Sequence, residues 1–208
     1  KKIEKIDPRF NNLKKIQNSF LHCFYKDKKA DEIFQKLISD DNTDFSRYNY
    51  FYAKYLIDEN RLKEAKEIVN LALKQYPRNL LLNQLEENLN ANKLKNIFEC
   101  KKQKHVIAEM LYITANALSS QSLYSFSNFY LNLAKYLNPS FYSYDTLLAE
   151  NFYKIKNFEL AKKIYSNIGK EGSAFFWYTT KQKARIFIKE DQQKKALDLM
   201  RRNYEKLP

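Results

Sequence analysis

The sequence predicts an all-α protein built of antiparallel helical hairpins, and three observations carry that prediction. Only 2 glycines and 4 prolines occur in 208 residues, too few turn formers for a sandwich or barrel, whereas helices joined by short polar turns need few. Apolar side chains recur at helical spacing, as in Leu13, Ile16, Phe20, Leu21 and Phe24, or Ala65, Ile68, Val69 and Ala72, giving each helix one buried stripe. Small side chains also return at fixed places of a unit of about 34 residues. The hydrophobic fraction of 44% supplies a core despite the 29% of charged residues, so disorder is not expected.

In chain order, the first unit, 11–44, has the weakest pattern. Ala30 and Phe34 suit a second helix there, but Asn18 takes a place that is normally small. Unit 46–79 sets Ala53, Ala65 and Ala72 at its eighth, twentieth and twenty-seventh places, with Leu56 and Val69 at the large ones. Pro77 stops its second helix, because proline lacks an N–H and disfavours helix in the residue before it. One further helix is expected over 79–90, with Leu81, Leu82, Leu85 and Leu89 on one side. Residues 92–104 are polar and lysine-rich and read as a connector.

The pattern then resumes. Unit 108–141 has Ala115, Ser127 and Ala134 at the small places, Leu118 and Leu131 at the large ones, and Pro139 near its end. Unit 142–175 has Ala149 and Ala161, then Phe152 and Tyr165. With one extra residue, unit 177–208 has Ala184, Phe187, Ala196, Met200 and a closing Pro208. Two helices approach closely only where side chains are short, so Ala53 is expected to face Ala65, and Ala149 to face Ala161. Turns are expected at Asp40-Asp41, Asp58-Glu59-Asn60, Lys156-Asn157 and Glu190-Asp191. Asn203, polar where a following unit would pack, places the end of the array near Pro208. The domain division is 1–91, a connector 92–104, and 105–208.

These residues resemble the tetratricopeptide repeat (TPR) family, over 46–208 apart from the interruption and faintly over 11–44. The aromatic usual at the fourth place is missing, being Asn49, Leu111, Asp145 and Thr180 in the four clear units. The resemblance implies a right-handed α–α superhelix, a solenoid of hairpins with one irregular connector. It also implies a protein-interaction scaffold, the first helix of each hairpin lining a concave groove for a peptide or protein. The groove positions carried over include Arg47, Tyr50 and Lys54, then Glu109, Tyr112 and Asn116, then Glu150 and Tyr153, and last Tyr178, Lys181 and Arg185, with Ile57, Ser119, Ser143, Thr146 and Ile188 at the remaining places. One subset of the family clamps a terminal carboxylate with lysine, asparagine and arginine. That specificity is not expected here, because Tyr112/Asn116 lacks the lysine and Glu150 would put a negative charge inside the clamp. The stripe Lys181, Arg185, Lys189 on one helical face remains, and it favours a partner with acidic segments.

Other function classes are constrained too. The formal net charge of +13 rests mainly on lysine, whereas nucleic-acid readers lean on the planar fork of arginine. The wealth of Lys, Asn, Ile, Tyr and Phe is what AT-rich coding produces, so nucleic acid is not the expected partner. An RNA-binding helical repeat and a structural or self-assembling module stand as the alternatives. Gly169 and Gly172 are the only glycines, which leaves no phosphate-cradling loop. Cys100 with His105, and His22 with Cys23, lack a second pair at zinc spacing, and no base is specified for a cysteine nucleophile. Neither enzyme activity, cofactor nor metal is expected. Two cysteines do not indicate a disulfide framework. No apolar run approaches the ~20 residues of a membrane helix. A chain that begins at Lys1 is expected to be a fragment or processed form. The cytoplasm is slightly favoured, with the periplasm left open.

Overall fold

The computed structural model describes residues 10–40 and 43–205. Asp41 of the first expected turn and Pro208 of the expected closing place lie outside the described residues. Among those described there are eleven α-helices and no strand. The chain divides into two compact units, Lys1–Val106 and Ile107–Pro208.

In the first unit α1 (Asn11–Phe24) pairs with α2 (Ala30–Ile38), and α3 (Ser46–Asp58) with α4 (Leu62–Gln75). A further helix, α5 (Leu80–Asn90), packs against both α3 and α4. Its N-terminus is capped by Asn79, whose side chain accepts from the Leu82 N–H at 3.2 Å, satisfying one of the free donors of the first turn. The second unit follows with α6 (Gln103–Ser120, the division falling in its first turn), α7 (Tyr124–Leu137), α8 (Ser143–Lys154), α9 (Phe158–Ile168), α10 (Ser173–Lys189) and α11 (Gln193–Tyr204). There α8 packs on α7 and α9, and α10 on α9 and α11. Both α6 and α10 begin about a turn before the expected unit starts at 108 and 177. Nothing helix-breaking stands in residues 103–107, and Gly172 is the residue that precedes α10.

The small places are where the helices bury their flanks. Ala53, Ala65, Ala115, Ser127, Ala149 and Ala161 are wholly buried, and Ala184 and Ala196 nearly so. Leu56, Val69, Leu131 and Tyr165 fill the spaces beside them, each buried. Asn151 of α8 adds a polar tie inside the second unit. Its amide donates to Ser127 Oγ and Asn128 Oδ1 of α7, both at 2.8 Å, and its oxygen accepts from Ser119 Oγ of α6 at 2.6 Å. Gly169, at the end of α9, is a close-approach residue, since a Cβ there would lie 2.5 Å from Thr179 Oγ1 of α10. Asn203 of α11 donates to Thr180 Oγ1 at 3.2 Å, so its amide is tied to α10.

The hairpin turns share one geometry. Lys26, Asn60, Ser122, Lys156 and Asp191 have φ between 52° and 63°, and the N–H after each bonds back to a carbonyl five residues earlier, as Asn157 to Phe152 at 2.8 Å. This is the Schellman ending of a helix, whose left-handed position usually falls to glycine. Here that position is glycine in none of the five. The same ending follows α5, with Asn92 at φ 52° and Lys93 N–H bonded to Asn88 O. So α5 terminates as the first helix of a hairpin, but residues 93–99 stay irregular and no second helix follows.

That irregular stretch falls within the expected connector 92–104, and one of its apolar residues, Phe98, is 2% exposed. Its ring lies 4.6 Å from Phe51 and 5.7 Å from Phe20, extending an aromatic cluster that includes Phe34 and Tyr48. The cysteines are also paired: Cys23 and Cys100 form a disulfide with their Cα atoms 5.9 Å apart. Sequence spacing gave no sign of the pair, since only the return of the chain over α1 brings two cysteines 77 residues apart together. A cross-link around a loop of that length removes chain entropy worth roughly 4 kcal/mol from the unfolded state.

Two stability changes of opposite sign follow. Ala149→Leu should overfill the contact between α8 and α9 and cost about 1–3 kcal/mol. Lys156→Gly should relieve the left-handed backbone and raise stability by about 0.5–1 kcal/mol. Urea unfolding of both variants checks the pair.

First-helix faces as candidate binding surfaces

Of the expected groove residues, those in the first unit are mostly closed off. Tyr50 and Lys54 are 3% and 4% exposed, and Lys54 Nζ stands 3.5 Å from Asp58 Oδ1. Burial raises the Asp58 carboxyl above its ordinary range, while Lys54 and Lys101 pull it back down. Arg47 is half-buried with its guanidinium 5.4 Å from the centre of the Phe51 ring. Next to the cluster, Tyr52 donates to Asp31 Oδ1 at 3.0 Å, and Asp31 also receives Arg61 at 2.6 Å. Burial pushes the Tyr52 phenol up to about 12. These pairs fix α2 against α3 and the start of α4.

The second unit differs. Glu109 of α6 is wholly buried, although the repeat register sets it among groove positions. Tyr112 is half-buried, with its ring 5.6 Å from Tyr144, and Asn116 is exposed. Glu150, Tyr153, Tyr178, Lys181 and Arg185 lie on α8 and α10, and four of them meet. Glu150 Oε1 accepts from Tyr178 at 3.2 Å, and its other oxygen stands 3.8 Å from Arg185 Nη1. Arg185 in turn lies over the Tyr153 ring, 4.1 Å from its centre, within reach of the ring quadrupole. The Arg185 side chain remains 45% exposed and that of Glu150 only 25%. Lys181, one turn earlier on α10, is exposed.

A fifth member was not anticipated. Tyr165 of α9 donates to the same Glu150 oxygen at 2.9 Å while being 1% exposed. The sequence placed it as a core filler. The one available signal was that a buried phenol needs a hydrogen-bond partner, which does not say where the partner lies. Burial, reinforced by the Glu150 charge, holds both the Tyr165 and Tyr178 hydroxyls well above the usual phenol range. The carboxylate is thus held by two donors and a cation, and the geometry leaves one face of Arg185 toward solvent.

Among the described residues no three or more His, Cys, Asp or Glu side chains are placed to hold a metal ion. No helix among them is long and apolar enough to cross a membrane.

The buried small places, recurring at the same steps in successive hairpins, decide the fold type. The array is one of α-helical hairpins with small residues at repeated contact steps. No family model matches the chain, and no curated protein is similar to it. Among solved structures, the chain is similar to a Podosopora anserina kinesin-light-chain type protein of nearly identical TPR-like repeats. That match has a TM-score of 0.40 at 10% identity, over 94% of each chain. A Q17M form of the same protein gives 0.40 and 10%, over 95% of this chain and 94% of that one. MamA of MSR-1 gives 0.28 at 12%, over 93% of this chain and 99% of its own. At such scores the likeness adds no weight to what the hairpins themselves display.

The two tyrosines carry a pH dependence with a definite sign. Their folded pKa values lie above that of the unfolded phenol, so their contribution is complete below about pH 10 and declines as pH rises beyond it. Urea midpoints measured from about pH 9 to about pH 11 should therefore fall, and less steeply in the Tyr165→Phe/Tyr178→Phe double variant. An identical slope in the variant would show that these two hydroxyls do not titrate above the ordinary phenol range in the folded chain.

Proposed function

We propose that the protein is an interaction scaffold whose second unit holds an acidic peptide or protein segment along α8 and α10. The observation that carries this reading is the half-exposed Arg185, stacked on Tyr153 and braced by Glu150, with exposed Lys181 and Lys189 on the same helical face. A guanidinium restrained in this way loses less freedom on binding a carboxylate than a free surface side chain does. Tyr153 adds contact area with few rotors to freeze. Glu150 does not compete for the incoming acid, because its oxygens are already engaged by Tyr165, Tyr178 and Arg185. No catalytic step is part of the proposal.

Association between copies of the chain is favoured by a different observation. Phe126, Phe129, Leu133 and Tyr136 are exposed along one side of α7, a helix whose only charged residue is Lys135. On a chain of net charge +13, that side is a place where two copies can meet without lysine facing lysine.

The test is a set of labelled Glu/Asp-rich peptides titrated into the full chain, with light scattering on the same samples. Saturable binding should weaken on the order of tenfold in Lys181→Glu/Arg185→Glu with helicity retained. Equal binding by that variant removes the groove assignment. Steeply salt-dependent binding to a single-stranded RNA instead would point to the nucleic-acid class. A mass of two chains that reverts in Phe129→Glu would establish self-association.

A further inference from the structure

Residues 93–101 pack as a ligand packs, although they belong to the chain. They have no regular structure up to residue 99, yet they insert one aromatic anchor and flank it with a covalent bond and an ion pair. Phe98 packs against both Phe51 of α3 and Phe20 of α1, whose own rings are 5.0 Å apart. Cys100 is bonded to Cys23 of α1. Lys101 Nζ pairs with Glu59 Oε1, at the end of α3, at 3.1 Å. The Glu99 N–H donates to His105 Nδ1 at 3.0 Å, turning the chain into α6. Apart from that last bond, these partners lie on α1 and α3, the first helices of two successive hairpins. On the same helix α3, Tyr50 and Lys54, expected to be open, are 3% and 4% exposed.

A face built by consecutive first helices, with a non-helical stretch of chain seated on it through a phenylalanine, has the form of an occupied peptide groove. We propose that the α1–α3 face is a groove for an extended, phenylalanine-anchored segment with a basic residue following the anchor. Residues 93–101 fill it in cis, and the Cys23–Cys100 disulfide latches them there. An outside segment of the same chemistry enters only after the latch is reduced. A dithiol performs that reduction with the atoms balanced. Its thiolate attacks one cysteine sulfur, its second thiol resolves the mixed disulfide, and Cys23 and Cys100 leave as two thiols while the dithiol becomes a disulfide. Reduction alone loosens the segment without emptying the face, because the tether from α5 to α6 keeps a high local concentration. This assignment concerns the first unit and is independent of what the second unit binds.

The experiment uses the full chain. The probe is a labelled synthetic peptide of residues 93–102 with serine in place of Cys100, beside a second peptide that also has alanine in place of Phe98. The receiving protein is the Phe98→Ala/Cys23→Ser/Cys100→Ser variant, with the oxidised native chain as reference. The variant should bind the first peptide at least about tenfold more tightly than the native chain does, with the second peptide losing that advantage. Equal binding to both proteins, or binding indifferent to the phenylalanine, overturns the proposal. Hydrogen exchange on the native chain with and without a dithiol decides the matter even where the variant folds poorly. Faster exchange confined to 93–101, with α4 unchanged, supports a separable segment. Loosening of α4 in step with it, or no change at 93–101, shows instead an ordinary part of the core.

Discussion

The close approach of helices at alanine is the constraint on which the rest of this structure depends. Helix axes come together only as far as their side chains allow, and Ala53, Ala65, Ala149 and Ala161 are all wholly buried within their hairpins. Larger neighbours such as Leu56, Val69 and Tyr165 then meet across the flanks rather than holding the helices apart. Because the same step recurs, each first helix occupies an equivalent place in its own hairpin. The first-helix faces of both units are consequences of that recurrence.

The two units use their first helices differently. In the second, Glu150 gathers two phenols and a guanidinium, a fully partnered carboxylate that leaves a cation outermost. In the first, the chain itself packs against α1 and α3, with Phe98 in the aromatic cluster and a disulfide beside it. Here α5 ends with the turn of a hairpin and lacks the partner helix. An irregular segment released from helix formation is free to run back across α1 and α3. The missing helix and the filled face are thus two aspects of one local departure from the repeat.

The turns show how little sequence identity a backbone geometry needs. A left-handed residue closes the first helix of five hairpins, yet lysine, asparagine, serine, lysine and aspartate take the position in turn. The helix-ending carbonyls gain their hydrogen bonds from this geometry, and that gain offsets the steric cost at each Cβ. Without a glycine signature, three of these turns were still located by their polar residues, whereas those at Lys26 and Ser122 were not.

The sequence by itself determined the helical class, the hairpin period and the small residues at its contacts, because these depend on side-chain size and on spacing along one helix. It also placed Glu150, Tyr153, Tyr178 and Arg185 on first helices, since position within a repeat is a local property. Only the tertiary structure decided that Tyr165 shares Glu150, that Tyr50 and Lys54 are closed off, and that Cys23 meets Cys100. Each of these depends on which distant segments come within a few ångströms, a matter of chain return in three dimensions that no one-dimensional spacing encodes.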